Sequence, residues 1–231
     1  DHGDLHKEYR RQRQMCIRDS SKYLPDADIG IVQKAYEYSA KAHRGQSRRS
    51  GEAYISHPLE VANNLVKLKM DETTLAAGLL HDTIEDTLST PKEIQELFGD
   101  EIFQLVDGVT KISKINFSSR EEIQAENYRK MIFAMAKDIR VVLIKLADRA
   151  HNVQTLESLS EERRRRIARE TIDIYAPIAN RLGIGWLKTE LENGSFRYLY
   201  AEEYRAISAK IVKGQDYRDK YVEKSIKRLE K

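Results

Sequence analysis

The chain has 231 residues, 40% hydrophobic and 33% charged, with a formal net charge of +3. That length supports one large domain or two small ones around a sizeable core, and the balance excludes a disordered polymer. No apolar run approaches the roughly 18 residues of a membrane span, no signal peptide opens the chain, and the lone Cys16 excludes a disulfide framework, so a cytoplasmic protein is expected. The net charge is too small to argue for nucleic acid, and neither a nucleic-acid nor a membrane partner is expected.

Residues 1–22 have no sustained apolar face and carry much of their charge as arginine. They read as a flexible leader, with the run RQMCIRDS a candidate for non-native sequence. Regular helical punctuation follows. DIGIVQKAYEYSAKAH has apolar residues at 31, 32, 35 and 36, with Ser39 next on the same spacing. RGQSRRSGEAYIS breaks it as a loop. Pro58 suits the first turn of the next helix, and Asp71 can cap ETTLAAGLLHD. Thr90 and Glu93 form a capping box, with Pro91 at the first helical position and Gly99 as the stop. Further helices are predicted over 100–113, 120–137, 138–157, 160–182 and 201–230. β-branched runs are few, so the fold class is all-α, a multi-helix bundle.

The stretch LLHDTIEDT, Leu79 to Thr87, sets His81, Asp82, Glu85 and Asp86 directly behind an apolar run. If the helix continued through it, the spacing of four would hold each pair about 6 Å apart on one face. Unpaired buried charge is costly, and a metal ion would offset that cost. His57, before Pro58, and Asp148, at the end of the apolar run VVLIKLAD, supply further ligands. Two imidazoles and two carboxylates suit manganese or magnesium. The alternatives are a solvated helix end for His81 and Asp82, a helix cap for His57, and a salt bridge from Asp148 to Arg149 or Lys145.

The pattern H…HD…D resembles the signature of the HD superfamily of metal-dependent phosphohydrolases. GQSRRSGEAYISHPLEVA, AAGLLHDTIEDT, LVDGVTKISK, AENYRKMIFAMAKDIRVVLIKLADRAHN and ETIDIYAPIANRLGI resemble the N-terminal half of the RelA/SpoT family of bifunctional alarmone enzymes, from about Tyr23 to the C-terminus. The resemblance implies hydrolysis of guanosine tetra- and pentaphosphate to GDP or GTP and pyrophosphate. It implies metal ligation by His57, His81, Asp82 and Asp148, with Mn²⁺ ahead of Mg²⁺ as the ion. Glu85 and Asp86 resemble the pair that handles the attacking water, a task suited to carboxylates outside the ligand set. Arg48 and Arg49 match positions beside the base and phosphates, where arginine can stack and pair. Asn152 and Thr155 share the helix face of Asp148 and resemble nucleotide contacts, while Lys111 and Lys114 are phosphate candidates whose alternative is a solvated loop.

His43 is expected to pack at a helix end, His151 to support the metal shell, EERRRR at 161–166 to be a solvated face, and Trp186 to pack in the core or at an interdomain surface. Departures from the family pattern are Ala53, Ala150 and Asn180, none of them a ligand position. The expected division is a leader at 1–22, a hydrolase domain at 23–195, and a helical connection at 196–231 toward a synthetase domain whose motifs the sequence lacks. Two other functions stay open: an HD hydrolase of a different nucleotide, and a non-catalytic alarmone-binding module.

Overall fold

The computed structural model describes residues 28–113, 129, 131–133 and 135–211; among them there are helices and one isolated bridge, but no strand. The leader 1–22, Lys114, most of the predicted helix 120–137 and residues 212–230 of the last predicted helix lie outside the described residues. The all-α expectation holds.

Helix α1 (Ile29–Ala42) leads into the loop, and α2 (Ser56–Lys67) and α3 (Glu72–Leu80) follow. Asp71 caps α3 as its sequence suggests, its carboxylate accepting from Thr74 N at 2.7 Å. A short helix α4 (Thr83–Asp86) precedes α5 (Pro91–Ser113). Thr90 Oγ1 accepts from Glu93 N at 3.2 Å. Gly99, at φ 83°, breaks α5 where the sequence placed a stop, in a backbone region that favours glycine. Helix α6 (Ile139–Gln154) is capped by Asp138, which accepts from Arg140 N at 2.9 Å.

The predicted helix 160–182 is interrupted. It comprises α7 (Glu161–Glu170), a π turn (Thr171–Tyr175) and α8 (Ala176–Arg181). Pro177 has no N–H to give Asp173, and its ring needs room in the preceding turn; the widened turn supplies it. Helix α9 (Gly185–Leu199) falls between the predicted helices 160–182 and 201–230, where none is predicted, and residues 201–211 are helical beyond it.

The site is positioned by α2, α3 and α6, which pack on one another, with α1 and α5 closing around α3. Helices α2 and α3 approach closely because Gly78 has no side chain: a Cβ there would lie 2.5 Å from Leu65 Cδ1. Leu65, Leu75, Leu80, Ile144 and Leu146 are fully buried between these helices. The apolar run of α6 therefore carries Asp148 into the interior, to the level of the first turn of α2 and the end of α3.

Candidate metal centre

The helix does not continue through His81 to Asp86, so the one-face spacing that a continuing helix would give does not apply. Helix α3 ends at Leu80 and the short helix α4 starts at Thr83. Two side chains satisfy the orphan carbonyls at that end. His81 Nδ1 lies 2.7 Å from Gly78 O, and Thr83 Oγ1 donates to Leu80 O at 2.6 Å. With Nδ1 donating to the carbonyl, His81 Nε2 is the atom left facing inward, to hold a proton or, in its place, a cation.

There His57 Nε2 lies 3.3 Å from Asp82 Oδ2 and 3.2 Å from Asp148 Oδ1. His81 Nε2 lies 2.9 Å from Asp82 Oδ1 and 3.9 Å from Asp148 Oδ1. Ligand atoms of His57, His81 and Asp148 all fall within 4.8 Å of one another, the one such group among the described residues, and all three side chains are buried. Asp82 is not one of the three, yet it touches both histidines. His81 Nε2 is fully buried and approaches Asp82 Oδ1 without hydrogen-bond alignment. A buried imidazole nitrogen between carboxylates, able to exchange its proton for a metal, is a donor set that fits a divalent cation. His57 is in the first turn of α2, but its side chain faces this cluster instead of capping the helix.

Asp148 is also salt-bridged: Lys145 Nζ lies 2.7 Å from its Oδ2. The ion pair and the cluster thus use opposite oxygens of one carboxylate. Burial pushes Asp148 up, but Lys145 and His57 outweigh it and hold the carboxyl well below its usual range. Asp82 is likewise held low against its burial by His81 and His57. Burial lowers His81, and the Asp82 carboxylate more than reverses this, to about 9.

Glu85 is half-buried on α4, and its pKa is raised by burial, with Lys145 opposing and Asp82 and Asp86 reinforcing the rise. Asp86 is exposed. Its Oδ2 accepts from Tyr54 OH at 2.5 Å, and the same hydroxyl lies 2.9 Å from Asp82 Oδ2. Burial and these two carboxylates raise the Tyr54 pKa, so the phenol stays neutral. Sequence reasoning missed Tyr54; only its place three residues before His57 hinted at it.

The loop between α1 and α2 closes one side. A bridge between Ser47 and Ala53 makes it a tight hairpin, turned by Gly51 at φ 89°. Gln46 Nε2 donates to Asp86 O at 2.8 Å. Arg48 Nη1 lies 2.9 Å from His151 Nδ1, and Nη2 donates to Asn152 Oδ1 at 2.8 Å. Asn152 Nδ2 donates to Asp148 Oδ1 at 2.5 Å. His151 Nδ1 is 2.7 Å from His57 Nδ1, outside the ligand group as expected. Burial, with His57 and Arg48 nearby, lowers the His151 pKa to about 3. Arg49 is exposed, and Thr155 forms the C-cap of α6, its hydroxyl donating to backbone oxygens of that helix. His43 is buried at the end of α1 and stacks on Tyr54 at 4.3 Å.

Lys111 lies within α5, as the predicted helix 100–113 has it and not in the loop of its alternative reading, with its Nζ 2.5 Å from Asp107 Oδ2 in an i, i+4 pair. Trp186 is 38% exposed with Lys67 Nζ 5.5 Å above its ring, so it is not a core residue. In EERRRR, Arg164 is partly buried against the Glu157 and Leu159 carbonyls, while Arg163, Arg165 and Arg166 are exposed.

Known proteins resemble this chain in sequence and fold. The chain is 61% identical over 206 residues to a "GTP pyrophosphokinase" of Myxococcus xanthus, covering 88% of this chain and 27% of that protein. It is 50% identical over 208 residues to the "Bifunctional (p)ppGpp synthase/hydrolase SpoT" of Escherichia coli K12, covering 90% of this chain and 30% of that protein. The chain thus spans less than a third of the length of these curated relatives. A solved structure described as "A metazoan ortholog of SpoT hydrolyzes ppGpp and plays a role in starvation responses" superposes with a TM-score of 0.54 at 27% identity, covering 72% of this chain and 94% of that one. The resemblance to RelA/SpoT proteins is borne out. The HD domain family model matches residues 35–185, and this chain belongs to the HD domain family.

Proposed function

We propose that this chain is a manganese-dependent hydrolase of (p)ppGpp that releases the 3′-diphosphate. The observation that carries the reading is the buried cluster of His57, His81 and Asp148, with Asp82 against both histidines and Glu85 and Asp86 on the next turn. The similarity to SpoT proteins supplies the substrate.

In this reading His57, His81, Asp82 and Asp148 hold the ion, and the nitrogen and oxygen donors favour manganese over a thiophilic metal. The bound ion supplies charge neutralisation for the phosphates and acidifies water. The chain's own residues do the rest. Glu85 and Asp86 orient a water toward the phosphorus next to the ribose 3′-oxygen, and Glu85, with its raised pKa, accepts a proton as the water attacks. The bond from phosphorus to the 3′-oxygen breaks. Pyrophosphate departs, and the 3′-oxygen takes up a proton to give GDP or GTP. Arg48 and Arg49 face the nucleotide from the hairpin, and Asn152 and Thr155 line the end of α6. Lys111, exposed on α5 with only a surface pair to Asp107, stays a weaker phosphate candidate beside them.

The test is direct. Purified protein with ppGpp and Mn²⁺ should yield GDP and pyrophosphate in equal amounts. Cleavage of other nucleotides but not ppGpp would point to a different HD hydrolase. Alarmone binding without cleavage would point to a regulatory module. No described helix is long and apolar enough to cross a membrane, which accords with an enzyme acting on a water-soluble nucleotide.

A further inference from the structure

We infer that Arg48 is a positioning residue for the metal centre: its guanidinium fork fixes the hydrogen-bond roles that present both His57 and Asp148 to the ion. The inference rests on the metal-site reading above.

Arginine only donates hydrogen bonds. Arg48 Nη1 is 2.9 Å from His151 Nδ1, so that nitrogen must be an acceptor. The same nitrogen is 2.7 Å from His57 Nδ1. His151 Nδ1 then shares its one in-plane lone pair between two donors, Arg48 Nη1 and His57 Nδ1, and the His57 proton sits on Nδ1. His57 Nε2 is then left with its lone pair, and Nε2 is the atom that faces Asp82 and Asp148. The other arm works on the carboxylate. Arg48 Nη2 donates to Asn152 Oδ1 at 2.8 Å, which sets the amide so that Nδ2 donates to Asp148 Oδ1 at 2.5 Å. One side chain, held on the hairpin, therefore reaches one ligand through His151 and another through Asn152. His81 needs no such relay, because its Nδ1 is fixed by the carbonyl of Gly78 within its own turn.

The sign of the mutational effect separates this from simple charge. Removing a cation near a cation site should tighten metal binding by Coulomb's law. The relay predicts the opposite, because outer partners of metal-bound histidines typically sustain 10–100-fold in affinity. Mn²⁺ affinity, measured by calorimetry without nucleotide, should fall about 10-fold in Arg48→Ala. Arg49→Ala, which removes an equal charge from the same hairpin, should not weaken it. Arg48→Lys keeps the charge but lacks the fork, and should lose affinity like the alanine variant. The metal-free melting temperatures of the three variants should stay near the parent's, which a merely structural role would not allow. Arg48→Ala binding Mn²⁺ as tightly as the parent, or more tightly, overturns the relay, as does a parent that binds no Mn²⁺.

Should Arg48→Ala fail to fold, ring-nitrogen NMR of the Zn²⁺-loaded parent decides. The relay requires the proton of His57 on Nδ1 and that of His151 on Nε2, and the reverse assignment overturns it. Hydrolysis is scored separately. A parent that cleaves ppGpp while Arg48→Ala keeps full Mn²⁺ affinity refutes the relay alone. A parent that binds Mn²⁺ with the predicted order of variants but leaves ppGpp intact refutes the proposed substrate alone.

Discussion

The turn after α3 and the hairpin before α2 both build the metal centre, by opposite means. The turn is local. His81 is tied to Gly78 and Thr83 to Leu80, each across three residues. The hairpin is global: Tyr54 reaches Asp82 and Asp86 across 28 and 32 residues, and Arg48 reaches His151 and Asn152 across 103 and 104. Local ties form as soon as the helix end forms. Hairpin ties exist only once α1, α2, α3 and α6 have packed. The turn should therefore tolerate changes elsewhere in the fold, while the hairpin should respond to any change in how those helices meet.

The largest effect expected is on the turn. Replacing His81 and Asp82 together with alanine removes a buried ligand and the carboxylate that touches both histidines. Metal content after Mn²⁺ loading should drop from near one per chain to near zero, and hydrolysis should vanish. Full metal retention would break the assignment of the turn.

Glu85→Gln comes next. Glu85 lies outside the ligand group, so the variant should keep its metal while turnover drops about 10²–10⁴-fold, the usual range for a general acid–base contribution. Turnover equal to the parent's would remove Glu85 from the chemistry.

Tyr54→Phe probes the hairpin. It deletes the hydroxyl shared by Asp82 and Asp86 and leaves the stack on His43 in place. Mn²⁺ affinity should fall about 10-fold, the low end for an outer partner of a ligand. An unchanged affinity would show that the hairpin covers the centre without shaping it.

The smallest effect sharpens the account of Glu85. Its folded pKa is raised, so the folded state holds that proton more tightly than the unfolded chain does. The ionised carboxylate then costs stability as pH rises through the interval from the unfolded value to the higher folded one. In metal-free protein at neutral pH, Glu85→Gln should raise the melting temperature by no more than a few degrees. Below the unfolded pKa the gain should disappear. A gain of equal size at both pH values would mean that charge is not its cause.

The same contrast explains what could be read from the sequence. Caps are local chemistry, so Asp71, Thr90 and the stop at Gly99 were legible. That His57, His81, Asp82 and Asp148 come together was legible because each stands at the end of an apolar run or beside a helix start. The ties that make the break at His81 were not, because they are side chains turning back onto their own carbonyls, which periodicity does not register. The π turn before Pro177 was hidden for a similar reason, since a proline within a helical pattern permits more than one local repair. Tyr54 and the double reach of Arg48 were illegible for a different reason. A tyrosine in a loop has no periodic signature, and a separation of about a hundred residues is closed only by the packing of α2 on α6. Lys145 shows the middle case: its spacing from Asp148 suggested a salt bridge as an alternative to metal ligation, and the carboxylate serves the salt bridge with one oxygen while the other faces the cluster.

The most direct test of the account is a paired assay on the parent protein: ppGpp turnover with Mn²⁺ at increasing ratios of metal to chain, and again after chelation. GDP and pyrophosphate should form in equal amounts, with activity rising until about one ion per chain is bound, and none after chelation until Mn²⁺ is restored. Turnover that persists in the chelated, metal-free protein would contradict it.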